Sequence, residues 1–137
     1  MVQVQLGYAA DKVGNGVAYA RLSSRTGERL VRAAFRVQLL RQPFDDTVVA
    51  RLTSYAALRA VATLLSEHGI DRVSFLVPDE TLVRDRNEHR DVPPPIVLPY
   101  VRLGCVLNRF KAYALDFGTD PDLAQRARAE VALNHAA

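Results

Sequence analysis

Arginine supplies nearly all of the positive charge of this 137-residue chain, and arginine is the side chain whose shape best matches phosphate. Of its 18 basic residues, only Lys12 and Lys111 are lysines. The planar guanidinium group can contact two phosphate oxygens at once. Arg21, Arg32 and Arg36 fall on two neighbouring predicted strands, so they are a candidate basic stripe for a nucleic-acid backbone. Two other interpretations stay open: a solvent-exposed sheet face, and the arginine codons of a GC-rich genome.

Asp79 is the acidic residue in the most informative position, because it follows Pro78 at the end of a predicted strand and precedes a possible helix. A carboxylate at that point is typical of a helix N-cap, which accepts free N–H groups of the first turn. A cap and a site residue are both open interpretations of Asp79. The histidines (His68, His89 and His135) have no partner at metal-ligand spacing, so no zinc site is predicted.

Composition predicts one ordinary globular domain covering residues 1–137. Hydrophobic residues make up 49% and charged residues 24%, and the formal net charge is +3. The single Cys105 cannot form an internal disulfide, which fits a reducing cytoplasm, and we interpret it as a small buried hydrophobe. No stretch approaches the roughly 20 apolar residues of a membrane helix, and residues 1–20 lack the pattern of a signal peptide. We therefore expect a cytoplasmic location and no membrane partner.

Hydrophobic periodicity predicts the element order β-β-β-α-β-α-β-α. The strands are placed around residues 2–6, 17–22, 31–39, 73–77 and 111–117. The long first helix is capped by Asp45 or Asp46 and ends before Gly69. Its apolar stripe consists of Leu52, Tyr55, Leu58, Ala62 and Leu65. Asp120 precedes the last helix.

The connection after the fourth strand is predicted to run into a stiff loop. Residues 84–91 are strongly charged and lead into three consecutive prolines, Pro93, Pro94 and Pro95. Proline disrupts a helix interior, so we expect a stiff, extended segment there. Pro99 is then expected to begin the second helix, where its missing N–H costs nothing.

This element order resembles the ribonuclease H-like fold. The similarity is best from Thr53 to Leu115. There the run TSYAALRAVATLLSEHGIDRVSFLVPDETLV resembles the family's first helix, its turn, and a strand ending in an acidic pair. The helix PYVRLGCVLNRF, leading into KAYAL, resembles a later helix and the fifth strand. The resemblance implies an α/β fold with a mixed five-stranded sheet flanked by helices.

The resemblance also implies where catalytic acids should lie. Active members hold two divalent ions with about four carboxylates, from strand one, the first helix, the end of strand four and the last helix. Carried over to this chain, these positions fall at or near Gly7, at Ser54, at Asp79 and near Gln125 or Ala127. Asp79 alone among them is acidic. A single carboxylate binds Mg²⁺ weakly, because the ion gives up its water reluctantly.

Other acids are alternative ligands for a rebuilt metal site. Asp11, in a glycine-bearing turn, and Asp122, near the start of the last helix, are the candidates that accompany Asp79. Glu80, Asp116 and Asp120 complete the set. Mg or Mn is expected as a cofactor only if such a rebuilt site exists.

Three functions stay open. The first is a nucleic-acid-binding or assembly module that has lost most catalytic carboxylates, with RNA, DNA or an RNA–DNA hybrid as partner. The second is a divergent metal-dependent ribonuclease that cuts the RNA of a hybrid, with Asp79 as a catalytic residue. The third is a homodimeric protein-interaction scaffold, which Ala34 and Leu40 on an outer strand leave open.

Overall fold

Strands with period-two alternation form the sheet at the centre of the fold. The computed structural model describes residues 1–38 and 45–136, with side chains as far as Asn134. The strands are β1 Val2–Ala10, β2 Asn15–Ser24, β3 Gly27–Arg36, β4 Arg72–Val77 and β5 Ala112–Phe117. The helices are α1 Asp46–Glu67, α2 Glu80–Asn87, α3 Pro94–Leu107 and α4 Pro121–Ala136. The predicted features at Leu39, Leu40 and Pro43, and the side chain of His135, lie outside the described residues.

The strands are ordered β3-β2-β1-β4-β5 across the sheet. β1 pairs antiparallel with β2, and β2 with β3, since short turns connect them. β1 pairs in parallel with β4, and β4 with β5, since helical segments separate them in the chain. The predicted α/β fold with a mixed five-stranded sheet is therefore confirmed.

Neighbouring residues of β1 face opposite sides of the sheet, and the two sides carry different helices. Val4 and Leu6 are buried with α1 in the core. Gly7 instead faces α4, and a Cβ atom placed on Gly7 would overlap the backbone nitrogen of Ala124. We call these two sides the α1 face and the α4 face. Because alternation fixes the side on which each residue lies, any site on one face excludes every second residue of β1.

α1 agrees with its prediction. Asp45 caps the helix by accepting the N–H of Val48 at 2.8 Å, and Gly69, with φ +82°, follows its C-terminal end. All five residues of the predicted apolar stripe are buried. Contrary to our expectation, α1 is long and apolar enough to cross a membrane by length and composition alone. In the fold it packs against the sheet and contributes that stripe to the core.

The charged connection after β4 contains a helix that the predicted element order lacks, since residues 80–87 form α2. Asp79 caps this helix by accepting the N–H of Leu82 at 3.1 Å. Leu82 and Val83 are buried, while Arg84 is exposed, so the segment is a short amphipathic helix. The N-cap interpretation of Asp79 is therefore confirmed.

The prolines after α2 begin a helix instead of preventing one. Pro94 and Pro95 are the first two residues of α3, where the missing N–H of proline leaves no helical hydrogen bond unmade. Pro99 lies inside α3 and not at its start, as we had predicted. The second helix of the predicted order is thus two helices, α2 and α3.

Cys105 is exposed, contrary to the prediction that it is buried. On α3 the buried residues include Leu103 and Leu107. Cys105 lies two residues from each, which at about 100° per residue places it on the opposite side of the helix.

Candidate functional site

Tyr8, and not Gly7, is the β1 residue that lies beside the positions carried over to α1 and β4. The hydroxyl oxygens of Tyr8 and Ser54 are 2.7 Å apart. The negative charge of Asp79 is close enough to influence Tyr8. Gly7 faces α4, and Gln125 is exposed on α4. The structure therefore brings Ser54 and Asp79 together, adds Tyr8, and leaves Gly7 and Gln125 away from this group.

The Tyr8–Ser54 pair is uncharged at neutral pH. Ser54 is buried, and its hydroxyl donates its single proton to the carbonyl oxygen of Ala50 at 3.0 Å, so Tyr8 donates to Ser54. The pKa of Tyr8 is raised to about 12, chiefly by burial; the hydrogen bond to Ser54 acts in the opposite direction, and the charge of Asp79 raises it further. Neither hydroxyl therefore supplies negative charge to a cation.

A cleft of about 830 Å³ opens over this group, between the start of α1, the β1–β2 turn and the start of α2. The acidic residues that line it are Asp11, Asp46, Asp79 and Glu80. Arg51 is its one arginine among the described lining residues. The structure thus places the candidates Asp11 and Asp79 in the same cleft.

The acids of the cleft do not converge on one point. Among the described side chains of residues 1–38 and 45–134, no three from His, Cys, Asp or Glu form a group that could hold a metal ion. Oδ1 of Asp11 accepts the N–H groups of Val13 and Asn15 at 3.0 and 2.9 Å, and Glu80 pairs with Arg84 at 2.7 Å. The described donors do not fit the two-ion site that the resemblance implies.

The acids at the start of α4 have other roles. Asp122 is exposed in the first turn of this helix. Asp120 is buried, accepts the N–H of Leu123 at 3.2 Å and forms an ion pair with Arg21. The candidate ligand Asp122 therefore does not join the group around Tyr8.

Two members of the predicted basic stripe are paired with carboxylates on the α4 face. Arg21 pairs with Asp120. Arg32 donates from Nε to Glu130 at 2.8 Å, and the Tyr19 hydroxyl donates to the same carboxylate. The Arg32 hydrogen bonds, followed by the one from Tyr19, lower the pKa of Glu130 to about 2. The positive charges of Arg21 and Arg32 are therefore compensated within the fold.

Arg36, the third member of the stripe, has different surroundings. It lies at the end of β3 and lines two grooves beside α1. Ala34 is exposed on the same edge strand, while Leu40 lies outside the described residues, so the homodimer hypothesis stays a prediction.

A buried ionic network between α1 and α2 was not predicted from the sequence. Asp85 is 3% exposed, and its Oδ2 accepts from Arg51 at 2.6 Å and from the Tyr55 hydroxyl at 3.1 Å. The guanidinium carbon of Arg86 lies 4.4 Å from the centre of the Tyr100 ring. The available signal was helical spacing, since Asp85 is three residues after the buried Leu82.

Tyr8 was also missed, although the sequence contained the signal. The alternation of Val4 and Leu6 with Gln3 and Gln5, continued by two residues, places Tyr8 on the buried side. The resemblance placed the family's strand-one position at or near Gly7, one residue before Tyr8. In a strand, a shift of one residue moves the side chain to the opposite face of the sheet.

Solved structures with the ribonuclease H fold are similar to this chain over nearly its whole length. RNase H1 from the halophilic archaeon Halobacterium salinarum NRC-1 gives a TM-score of 0.69 at 16% identity, covering 97% of this chain and 98% of that chain. The N-terminal RNase H domain of Rv2228c from Mycobacterium tuberculosis, fused to maltose-binding protein, gives 0.66 at 13% identity, covering 92% and 94%. LC11-RNase H1 in complex with an RNA/DNA hybrid gives 0.65 at 14% identity, covering 94% and 92%.

No family model and no curated protein matches the sequence. The structural similarity establishes that this chain has the ribonuclease H fold, as the sequence resemblance had predicted. At these identities the similarity concerns the fold, and function has to be argued from the site.

Proposed function

We propose that this chain is a nucleic-acid-binding module with the ribonuclease H fold, whose cleft no longer supports two-metal hydrolysis. The observation that carries the proposal is the 2.7 Å hydrogen bond between Tyr8 and Ser54 beside Asp79. These two uncharged side chains lie where the resemblance implies carboxylates. They also hold each other, which leaves their hydroxyls poorly available to a cation.

The balance of charge in the cleft also favours the loss of hydrolysis. Two divalent ions a few ångströms apart repel each other strongly, so carboxylates have to compensate their charge at short range. In this group Asp79 is the only carboxylate, and one of its oxygens caps α2 at 3.1 Å. A lone, partly committed carboxylate supports neither an attacking nor a leaving oxygen.

Two observations support a nucleic-acid partner. LC11-RNase H1, whose fold this chain shares, is solved in complex with an RNA/DNA hybrid. The arginine-rich composition supplies side chains that match phosphate geometry. RNA, DNA and RNA–DNA hybrids all present this phosphate backbone, and we propose the hybrid as the first partner to test.

One observation favours a second candidate, a divergent metal-dependent ribonuclease. Four acidic residues line the same cleft, namely Asp11, Asp46, Asp79 and Glu80. Side-chain rotation that gathered them around Mg²⁺ or Mn²⁺ would create a site different from the one the resemblance implies.

A binding and cleavage assay with one substitution separates the two candidates. The protein and its Asp79→Asn variant are incubated with a labelled RNA–DNA hybrid in Mg²⁺ or Mn²⁺. Asparagine caps a helix about as well as aspartate, so this variant should keep the fold. We expect both proteins to bind the hybrid with a marked salt dependence and neither to cut it.

Cleavage in either metal that disappears in Asp79→Asn would establish the ribonuclease instead. Absence of binding to hybrid, DNA and RNA at low salt would overturn both candidates.

A further inference from the structure

Three arginines line one groove on the α1 side of the molecule. Arg36 comes from the end of β3, Arg59 from α1 and Arg102 from α3. The groove has a volume of about 240 Å³, and no acidic residue is among its described lining residues. We call it the arginine groove. Its three basic residues are exposed, and they come from elements far apart in the sequence.

The arginines of this groove differ from three arginines that the fold itself uses. Arg21, Arg32 and Arg51 each pair with a carboxylate. Within residues 1–38 and 45–136, none of the three groove arginines forms an ion pair. Arg59 and Arg102, two uncompensated cations beside one concave surface, attract an anion more strongly than the same cations would if they were far apart.

The arginine groove continues in two directions. A further shallow groove, also lined by Arg36 and Arg59, extends along α1 to Thr63. Towards the start of α1, Val37 lines both the arginine groove and the cleft over Tyr8. From Leu52, which lines the arginine groove, to Thr63 the helix rises about 16 Å, at roughly 1.5 Å per residue. A path of this length accommodates more than one phosphate of a nucleic-acid strand.

Electrostatics distinguishes the arginine groove at one end of α1 from the cleft over Tyr8 at the other. Four acidic residues line the cleft over Tyr8, and Arg51, the single arginine among its described lining residues, is paired with Asp85 at 2.6 Å. A phosphate without a bridging cation is repelled by that end. The same phosphate is attracted by the arginine end, which has basic residues and no described carboxylate.

We infer that the arginine groove holds the phosphate backbone of a nucleic-acid duplex, an inference that rests on the proposed function. The one aromatic residue among its described lining residues is Tyr55, which is 1% exposed and offers no ring for base stacking. Recognition of single strands relies on such stacking, whereas a duplex backbone is contacted through charge. The duplex is therefore the occupant to which we commit.

Fluorescence anisotropy over a series of salt concentrations tests this assignment. The probes are a labelled RNA–DNA hybrid, the same sequence as a DNA duplex, and the single strand. The test variant is Arg59→Ala/Arg102→Ala. The charge-matched control is Arg25→Ala/Arg128→Ala, two exposed arginines that do not line the groove. Arg25 lies at the β2–β3 turn, about 30 Å along β3 from Arg36.

We expect the test variant to bind the duplexes about tenfold to a hundredfold more weakly at moderate salt. The slope of log K against log salt should fall by about 2, since each lost duplex phosphate contact removes about 0.9. The control should retain most of the affinity and the slope. Circular dichroism checks that both variants are folded.

The possible failures are distinguishable. If the wild-type protein binds duplexes and the test variant behaves like the control, the arginine groove is not the site, while the proposed function stands. If the wild-type protein prefers the single strand, the duplex assignment is wrong. If it binds no nucleic acid, the proposed function fails together with this inference.

Discussion

On the α4 face of the sheet, Arg21 pairs with Asp120 just before α4 and Arg32 pairs with Glu130 of α4. On the α1 side, Arg59 and Arg102 have no ion-pair partner among the described residues. The paired arginines attach a helix to the sheet. The unpaired ones are available to an outside partner. The sequence does not distinguish these four arginines. The fold gives two of them a structural role and leaves the other two available for binding.

The largest predicted effect on stability comes from the Arg51–Asp85 pair. This pair is largely shielded from water, so the loss of one partner leaves the other poorly solvated. Asp85→Ala removes the acceptor of both Arg51 and Tyr55. We expect the free energy of unfolding to fall by about 3 kcal/mol, since a largely buried guanidinium is left without its partner. Urea denaturation measures this. The exposed Glu80–Arg84 pair of the same helix is the control, and Glu80→Ala should cost less than about 0.5 kcal/mol. Equal effects of the two substitutions would contradict the distinction.

A substitution at Gly7 tests the contact between β1 and α4. Gly7→Ala introduces a Cβ atom where the backbone of Ala124 already lies. We expect a loss of about 2 kcal/mol in the free energy of unfolding, because backbone atoms cannot move aside as a flexible side chain can. Tyr8→Phe, one residue further and on the α1 face, removes a single hydrogen bond and should cost about 1 kcal/mol. If the Gly7→Ala protein were as stable as the wild type, this close contact would be contradicted, and α4 would have to lie further from the sheet.

Lowering the pH should weaken the attachment of α4 to the sheet, because Glu130 becomes protonated and loses its ion pair with Arg32. Its pKa is lowered from the ordinary 4.5 to about 2, chiefly by the hydrogen bonds from Arg32. A carboxylate with a lowered pKa in the folded state stabilises the protein above the unfolded-state pKa, and this contribution disappears as the pH falls from about 4.5 to about 2. We expect a contribution of at most about 1 kcal/mol, because the pair is half-exposed and screened by solvent.

Urea denaturation of the wild type and of Glu130→Gln, at pH 7 and at successively lower pH, measures this contribution. The difference between the two proteins should shrink through that interval and vanish near pH 2. A difference that stays constant with pH would mean that Glu130 acts through packing instead of charge.

The smallest predicted effect is that of Arg32→Ala on nucleic-acid affinity. Because Glu130 already compensates Arg32, its removal should change the dissociation constant of an RNA–DNA hybrid by less than about twofold. Arg59→Ala alone, an equal change in charge, should have the larger effect. A larger loss of affinity in Arg32→Ala than in Arg59→Ala would mean that the phosphates contact the basic stripe predicted from the sequence.

Local periodicity was sufficient to predict most elements of the fold. The stripe from Leu52 to Leu65 and the cap at Asp45 depend on neighbours within a few residues in the chain, and both are found in the structure. The prediction failed between β4 and β5, where charge and proline content suggested a loop. There Asp79 caps one helix and two prolines occupy the first turn of the next, so the same residues begin helices.

The candidate site was less predictable, because its residues meet across long stretches of chain. Tyr8 and Ser54 are separated by 46 positions, and a carry-over displaced by one residue selected Gly7 on the other face. Asp85 belongs to a strongly charged segment, for which solvent exposure is expected, yet its side chain is buried.

The sequence by itself determined which segments alternate, where helices are capped and how much arginine the chain carries, because these depend on local chemistry. Only the tertiary structure decided which arginines are compensated. Arg32 meets Glu130 across 98 positions of chain, while Arg59 and Arg102 meet no described carboxylate. Charge compensation acts over a few ångströms in space, and the distance between two residues in space is set by the packing of the helices on the sheet.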